Sequence, residues 1–265
     1  MTLPPRANVV ITGAAHGIGA ALARRYAEAG HRVAVLDRDA EAARALAAGL
    51  ERGGATPLGL ACDVSSPDDC RAAIQKVQEA WGGIDLLVNN AGITQLGFVR
   101  DTKVEVLRRV MDVNFFGAVH CTQAALPSLL ERRGRIVALS SVAGFAPLAG
   151  RAGYVASKHA VEGFFETLRA EHLRDGLGVT LVRPSFVRTH IGDRALGADG
   201  AAAGPEARSG VGHEVGPEAA ADTIFRAVAR GRRIVWVGNE ARLSWWASQL
   251  APRLYERLML RRTGG

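Results

Sequence analysis

Seven short apolar runs punctuate the chain: NVVITG from Asn8, RVAVLD from Arg32, PLGLACD from Pro57, IDLLVNNAG from Ile84, GRIVALSS from Gly134, GVTLVRP from Gly178 and RIVWVG from Arg233. None alternates apolar with polar residues, so each reads as a strand buried on both faces. Between them lie stretches whose apolar residues recur at three and four: 18–30, 40–54, 67–81, 103–130, 153–174 and 217–230. These predict helices, the first closed by Gly30. Strands alternating with helices imply a parallel sheet, and right-handed crossovers then place helices on both faces of a doubly wound, mostly parallel, seven-stranded α/β sheet. No internal repeat or linker interrupts the order, so residues 1–238 are expected to form one domain.

Two segments depart from the rhythm. Residues 192–216 are rich in Gly and Ala and lack a period. A loop this long in a compact domain is functional or disordered, and it is read as a mobile substrate lid, with an inert insertion as the alternative. Residues 239–265 form an amphipathic extension. Leu243, Trp246, Leu250, Leu254 and Leu258 recur at helical spacing, Arg242, Arg253, Arg257, Arg261 and Arg262 supply basic charge, and Pro252 is placed to kink or divide the helix. The stripe could pack on its own domain or a second subunit, lie on an anionic membrane surface through residues 239–262, or close over an apolar substrate.

Composition narrows the classes. At 265 residues, 48% hydrophobic and 22% charged, the chain suits a globular protein with a full core. The net charge of +7 is scattered, with no basic run interleaved with aromatics, so nucleic acid is not an expected partner. No stretch approaches the length of a membrane span and no signal peptide is evident at the N-terminus; the expected location is cytoplasmic. Cys62, Cys70 and Cys121 are widely spaced and form no CxxC pair, so neither a disulfide framework nor a zinc or other metal site is expected.

The candidate chemistry begins in TGAAHGIG, Thr12 to Gly19, between the first strand and first helix. Gly13, Gly17 and Gly19 allow a sharp turn and close approach of a pyrophosphate, while the helix N-terminus supplies free N–H groups. His16 lies in this loop, either touching phosphate or solvated. Asp37 ends the second strand, 18 residues beyond Gly19. It can accept from ribose hydroxyls, favouring NAD over NADP, or simply cap the next helix. Arg38 could reach a 2′-phosphate. All but three of the 33 basic residues are Arg, yet Lys158 stands four residues after Tyr154, itself one of three tyrosines. That spacing puts both side chains on one helical face.

Taken together the motifs resemble the short-chain dehydrogenase/reductase family, from about Asn8 to Gly238. Thr12 to Gly19, with Ile18 inside, is similar to its T-G-x-x-x-G-x-G. Asn89, Asn90, Ala91 and Gly92 match its N-N-A-G. Asp63 with Val64 matches its adenine-pocket pair, Asn114 its helix Asn, Ser141 its catalytic Ser, and Tyr154 with Lys158 its Y-x-x-x-K. PSFVRT, Pro184 to Thr189, departs from P-G-x-V-x-T by carrying Ser185 for Gly, which puts the local backbone in question; Val187 and Thr189 still match.

The resemblance implies a Rossmann-like fold and hydride transfer between nicotinamide and an alcohol or ketone. It also implies a homodimer or homotetramer. Tyr154 would be the general acid/base, its pKa lowered by Lys158, which would also hold the nicotinamide ribose. Ser141 would polarise the substrate oxygen, and Asn114 would hold a water on the proton path. Ser140 is expected to cap backbone and His159 to be structural. His190 and His213 flank the lid. The apolar lid and tail favour a hydrophobic substrate.

Overall fold

The computed structural model describes residues 3–51, 56–189, 191–204 and 214–262. Seven strands form one sheet: β1 (Asn8–Thr12), β2 (Arg32–Asp37), β3 (Leu58–Ala61), β4 (Leu86–Asn89), β5 (Arg135–Leu139), β6 (Gly178–Pro184) and β7 (Ile234–Val237). Their order is β3-β2-β1-β4-β5-β6-β7, and every pairing is parallel. The apolar runs fail to alternate because both faces are covered. Along β1, Val9 and Ile11 pack with the buried face of α1 (Gly17–Glu28), α2 (Ala40–Gly49) and α7 (Pro217–Ala229). Val10 packs on the opposite side with α3 (Pro67–Trp81), α5 (Gly117–Glu131) and α6 (Ala152–Glu171).

The chain leaves β1 toward β2 on one side and returns through β4 on the other. Their C-terminal ends therefore diverge into a crevice, where doubly wound sheets bind ligands. Thr12 fastens its rim. Its hydroxyl oxygen accepts from the amides of Asn90 and Ala91, both at 3.1 Å. The Asn90 amide group donates back to the carbonyls of Thr12 and Gly13, both at 2.9 Å.

The helix expected over 103–130 is interrupted. After α4 (Val104–Met111) the backbone makes a π-helical turn, Asp112–Phe116, before α5 continues. A π-turn inserts a residue without changing composition, so periodicity does not announce it. Pro252 divides the tail into α8 (Asn239–Leu250) and α9 (Pro252–Arg262).

The leucine stripe does not pack on its own domain. Leu243, Leu250 and Leu254 are 66%, 76% and 59% exposed, whereas Ala241 and Tyr255 are buried beside Val142 and Ala146. The inward face is made of smaller and aromatic residues because it meets Phe145 and Trp236 at the end of the sheet. Among the described residues no helix is long and apolar enough to cross a membrane.

Candidate active site

A cleft of about 490 Å³ opens over the crevice and takes its walls from the loops after β1, β2, β3, β4, β5 and β6. At its centre is the turn after β1. Gly13 has φ +60°, and a Cβ there would lie 2.7 Å from the Ala91 Cα. A side chain would push the turn off β4, so the requirement for Gly is both conformational and steric. Gly19 meets the same limit inside α1, where a Cβ would fall 2.6 Å from the Asn90 amide nitrogen. Thr12 and Gly19 thus shape the crevice from behind, whereas Gly13, His16, Gly17 and Ile18 face it. His16 is the N-cap of α1, and its buried Nε2 has no hydrogen-bond partner.

Asp37 is buried at the C-terminal end of β2. Its carboxylate accepts from the amides of Ala15 at 3.0 Å and Asp39 at 3.1 Å, which points it over the turn. The cap of α2 is instead Asp39, which accepts from the Ala42 amide. Asp37 is therefore free of the capping duty that was its alternative reading. Arg38 is exposed at the same end of the cleft. Asp63 and Val64 form the wall beyond β3, with the Asp63 carboxylate held by the Ser65 amide and hydroxyl at 2.9 and 2.7 Å.

On the other side of the crevice, Ser141 and Tyr154 meet. Ser141 follows β5 in an extended conformation, and Tyr154 lies in the first turn of α6. The Tyr154 amide is anchored to Gln95 Oε1 at 3.0 Å. Burial raises the phenol above its ordinary range; the neighbouring Ser141 hydroxyl and the charge of Arg151 oppose that rise. Lys158 is 4% exposed, and its Nζ donates to the Leu139 carbonyl at 2.7 Å while lying 5.7 Å from the Tyr154 ring centre. Burial pulls Lys158 down from 10.5 to about 8, with Glu162 opposing.

The expected lowering of Tyr154 by Lys158 is thus not found in the protein alone. The ammonium is aimed at the end of β5 and is itself weakened by burial, and desolvation of the phenol dominates. Arg151, which donates to Thr94 Oγ1 at 2.9 Å, is the cation that acts on Tyr154, and no motif in the sequence marked it.

Asn114 is buried in the π-turn and lies behind the cleft wall. Its side chain accepts from the Ile93 amide at 2.8 Å and donates to the Ile93 carbonyl and Ser157 Oγ, both at 2.9 Å. It ties the loop following Gly92 to α6, a positioning task for which the π-turn aims it inward.

Ser185 does not strain its loop. It is absent from the described non-Gly residues with positive φ, which are Arg6 and Arg133. Gly238, at φ +86°, makes room for it, since a Cβ there would come within 2.1 Å of Ser185 Oγ. The loop reaches the glycine turn through Thr189, whose methyl would lie 3.1 Å from a Cβ at Gly17, and Pro184 and Val187 line the cleft beside it.

Ser140 caps nothing by its side chain: its buried Oγ has no partner and lies against Gly144, where a Cβ would fall 2.3 Å from it. His159 is exposed and bonded to the Val155 carbonyl at 2.9 Å, a structural place. His190 and His213 lie outside the described residues, as do 205–213 of the expected lid. Its described first half is fastened over the site, with the Leu96 amide donating to Leu196 O at 2.8 Å and the Leu196 amide to Thr94 O at 2.9 Å.

The cleft fits a dinucleotide by its own features. The glycine cradle would be filled by any Cβ, the His16 Nε2 is buried and unpartnered, and a carboxylate is fixed at the end of β2. Comparison with known proteins agrees with this geometry. The model of the family described as short chain dehydrogenase matches residues 7–197. Dehydrogenase/reductase SDR family member 7B of Rattus norvegicus is 37% identical over 264 residues, covering 97% of this chain and 81% of the relative. 11-beta-hydroxysteroid dehydrogenase A of Sesamum indicum is 36% identical over 94% of this chain and 73% of its own. A crystal structure of a short chain dehydrogenase/reductase from Burkholderia phymatum in complex with NAD superposes with a TM-score of 0.81 at 29% identity, covering 99% of this chain and 97% of that one. From the turn after β1 to the Ser141, Tyr154 and Lys158 wall, the chain belongs to the short-chain dehydrogenase/reductase family.

Proposed function

We propose that this chain moves a hydride between a nicotinamide dinucleotide and an apolar secondary alcohol or ketone, with Tyr154 carrying the accompanying proton. The observation behind this reading is that Ser141, Tyr154 and Lys158 line the same cleft as the glycine turn and Asp37. His16 and the α1 N-terminus would hold the pyrophosphate, Asp37 the adenosine ribose, and Lys158 the nicotinamide ribose. When bound, the dinucleotide supplies the hydride donor or acceptor. Asp37 supports NAD over NADP, because a carboxylate at that point repels a 2′-phosphate, and the NAD-bound relative is consistent with that preference.

Tyr154 is protonated near neutrality, its phenol raised by burial, so it stands ready to donate to a ketone oxygen. Ser141 would share that oxygen and polarise the carbonyl. In the reverse direction the Ser141 hydroxyl and Arg151 oppose the cost of forming a phenolate, and Asn114 keeps α6 in register with the cleft. Ile93, Leu148, Phe186 and Leu196 line the open end and favour a substrate with a substantial apolar body; a hydroxysteroid dehydrogenase among the relatives supports the same class.

Purified protein with NAD or NADP and a panel of secondary alcohols and ketones of increasing apolar size tests this by reduced-nicotinamide absorbance. Turnover that improves with apolar size is expected. Binding of dinucleotide without turnover in either direction would leave a non-catalytic binding protein as the better reading. The outward leucines of α8 and α9 support a homodimer or homotetramer with this face covered. Light scattering checks the mass, and co-sedimentation of the chain with anionic vesicles, lost without residues 239–265, would favour a membrane seat instead.

A further inference from the structure

Cys62 and Cys70 flank the start of one helix, Cys121 lies 51 residues beyond Cys70, and the three meet in space. Cys62 follows β3, Cys70 lies in α3 and Cys121 in α5. They are 3%, 0% and 0% exposed, all are free thiols, and their sulfurs lie within 4.8 Å of one another. The Cys121 thiol donates to Cys70 Sγ at 3.4 Å, and Cys70 donates to the Val64 carbonyl at 3.5 Å. Packing alone does not call for this. Buried thiols behave as small hydrophobes, and Ala or Val would fill the same positions without placing three polarisable sulfurs at one point.

The distances suit a shared cation. A metal–sulfur bond of about 2.3 Å in tetrahedral geometry separates the sulfurs by roughly 3.8 Å. The observed cluster brackets that spacing, so small side-chain rotations would complete it. The donor set is all sulfur, with no carboxylate or imidazole in the group, which excludes hard cations such as magnesium and calcium and selects thiophilic ones. Cys62 also lines the cleft next to Asp63 and Val64, which provides an entry path from solvent.

We propose that Cys62, Cys70 and Cys121 form a three-thiolate site for a thiophilic d10 cation of the zinc, cadmium or copper(I) class, beneath the β3 side of the nucleotide cleft. Binding breaks three S–H bonds and forms three metal–sulfur bonds. The protons pass to solvent and no oxidation state changes. With a divalent cation the site carries one net negative charge. The cation joins the loop after β3 to α3 and α5, so the bound chain resists unfolding more than the free one. This proposal does not depend on the assigned reaction.

The test uses the full chain, reduced with a phosphine, stripped with a chelator and titrated with cadmium. A thiolate-to-cadmium charge-transfer band that saturates at one equivalent is expected, with proton release in a pH-stat and a rise in the thermal midpoint. Cys70→Ser and Cys121→Ser should each weaken binding by roughly 100-fold or more, since loss of even an outer-shell partner costs 10–100-fold. X-ray absorption at the cadmium edge of the unaltered chain counts the sulfur neighbours, so the proposal stays testable even if a variant fails to fold. Three sulfurs support it. Absence of the band at stoichiometric cadmium, a band unchanged in both variants, or a shell of nitrogen and oxygen alone overturns it.

Discussion

Lys158 provides the most quantitative consequence of this structure. It is buried with no carboxylate bonded to it; Glu162 is engaged by Arg183 at 2.9 and 2.8 Å. Its pKa falls from 10.5 in the unfolded chain to about 8 in the fold. The folded state therefore gives up the proton first, and between these values the unfolded chain binds more protons. Stability then rises with pH across that window: the cost of burying the charge is fully present below pH 8 and relieved as pH climbs toward 10.5.

The whole shift corresponds to about 3 kcal/mol, and the part falling between pH 7 and 9.5 to about 2 kcal/mol. In Lys158→Met that dependence disappears, while the loss of the hydrogen bond to Leu139 O lowers stability by an amount independent of pH. Urea denaturation of both proteins at a series of pH values separates the two effects. The wild type should gain about 2 kcal/mol on the variant between pH 7 and 9.5. Below 9.5 the phenol of Tyr154, raised above 10.0, contributes little to the difference. Parallel profiles for the two proteins, with a constant offset, would refute the reasoning and return Lys158 to an ordinary pKa.

Two further outcomes follow from single contacts. Asp37→Ser removes the carboxylate proposed to hold the adenosine ribose, and the ratio of kcat/KM for NADP over NAD should rise by roughly 10-fold or more, about 1.4 kcal/mol, in parallel assays with the two cofactors. Arg183→Met leaves Glu162 as an uncompensated buried carboxylate between β6 and α6, both side chains being about a tenth exposed. Chemical denaturation should show a loss of about 3 kcal/mol, and Glu162→Gln added to it should restore part of that loss.

The sheet was legible because its strands are buried on both faces and so read as unbroken apolar runs. The glycine turn and the Tyr154–Lys158 pair were legible because their chemistry demands particular residue types at fixed spacing. What the sequence concealed are properties that arise only when distant segments meet. Arg151 is a local exception: it stands three residues before Tyr154, at the N-cap of α6, but no motif separates it from the other arginines. Cys62, Cys70 and Cys121 belong to three elements whose packing on one face of the sheet is invisible in their spacing.

The leucines of the tail have a clear helical period, but the period does not say which side faces inward. Ala241 and Tyr255 take that side because Phe145 and Trp236 leave room there. The substitution at Ser185 looked suspect only because its compensation, Gly238, lies on the neighbouring strand's end.

In the proposed reaction Tyr154 carries the proton of a dinucleotide-dependent oxidoreduction. The most direct test is the steady-state rate of alcohol oxidation, or ketone reduction, by the wild type and by Tyr154→Phe at saturating cofactor. Dinucleotide binding by both proteins is measured alongside. The predicted result is a fall in kcat of roughly 10²–10⁴-fold with cofactor affinity within about threefold. A variant that retains the wild-type rate would contradict the account.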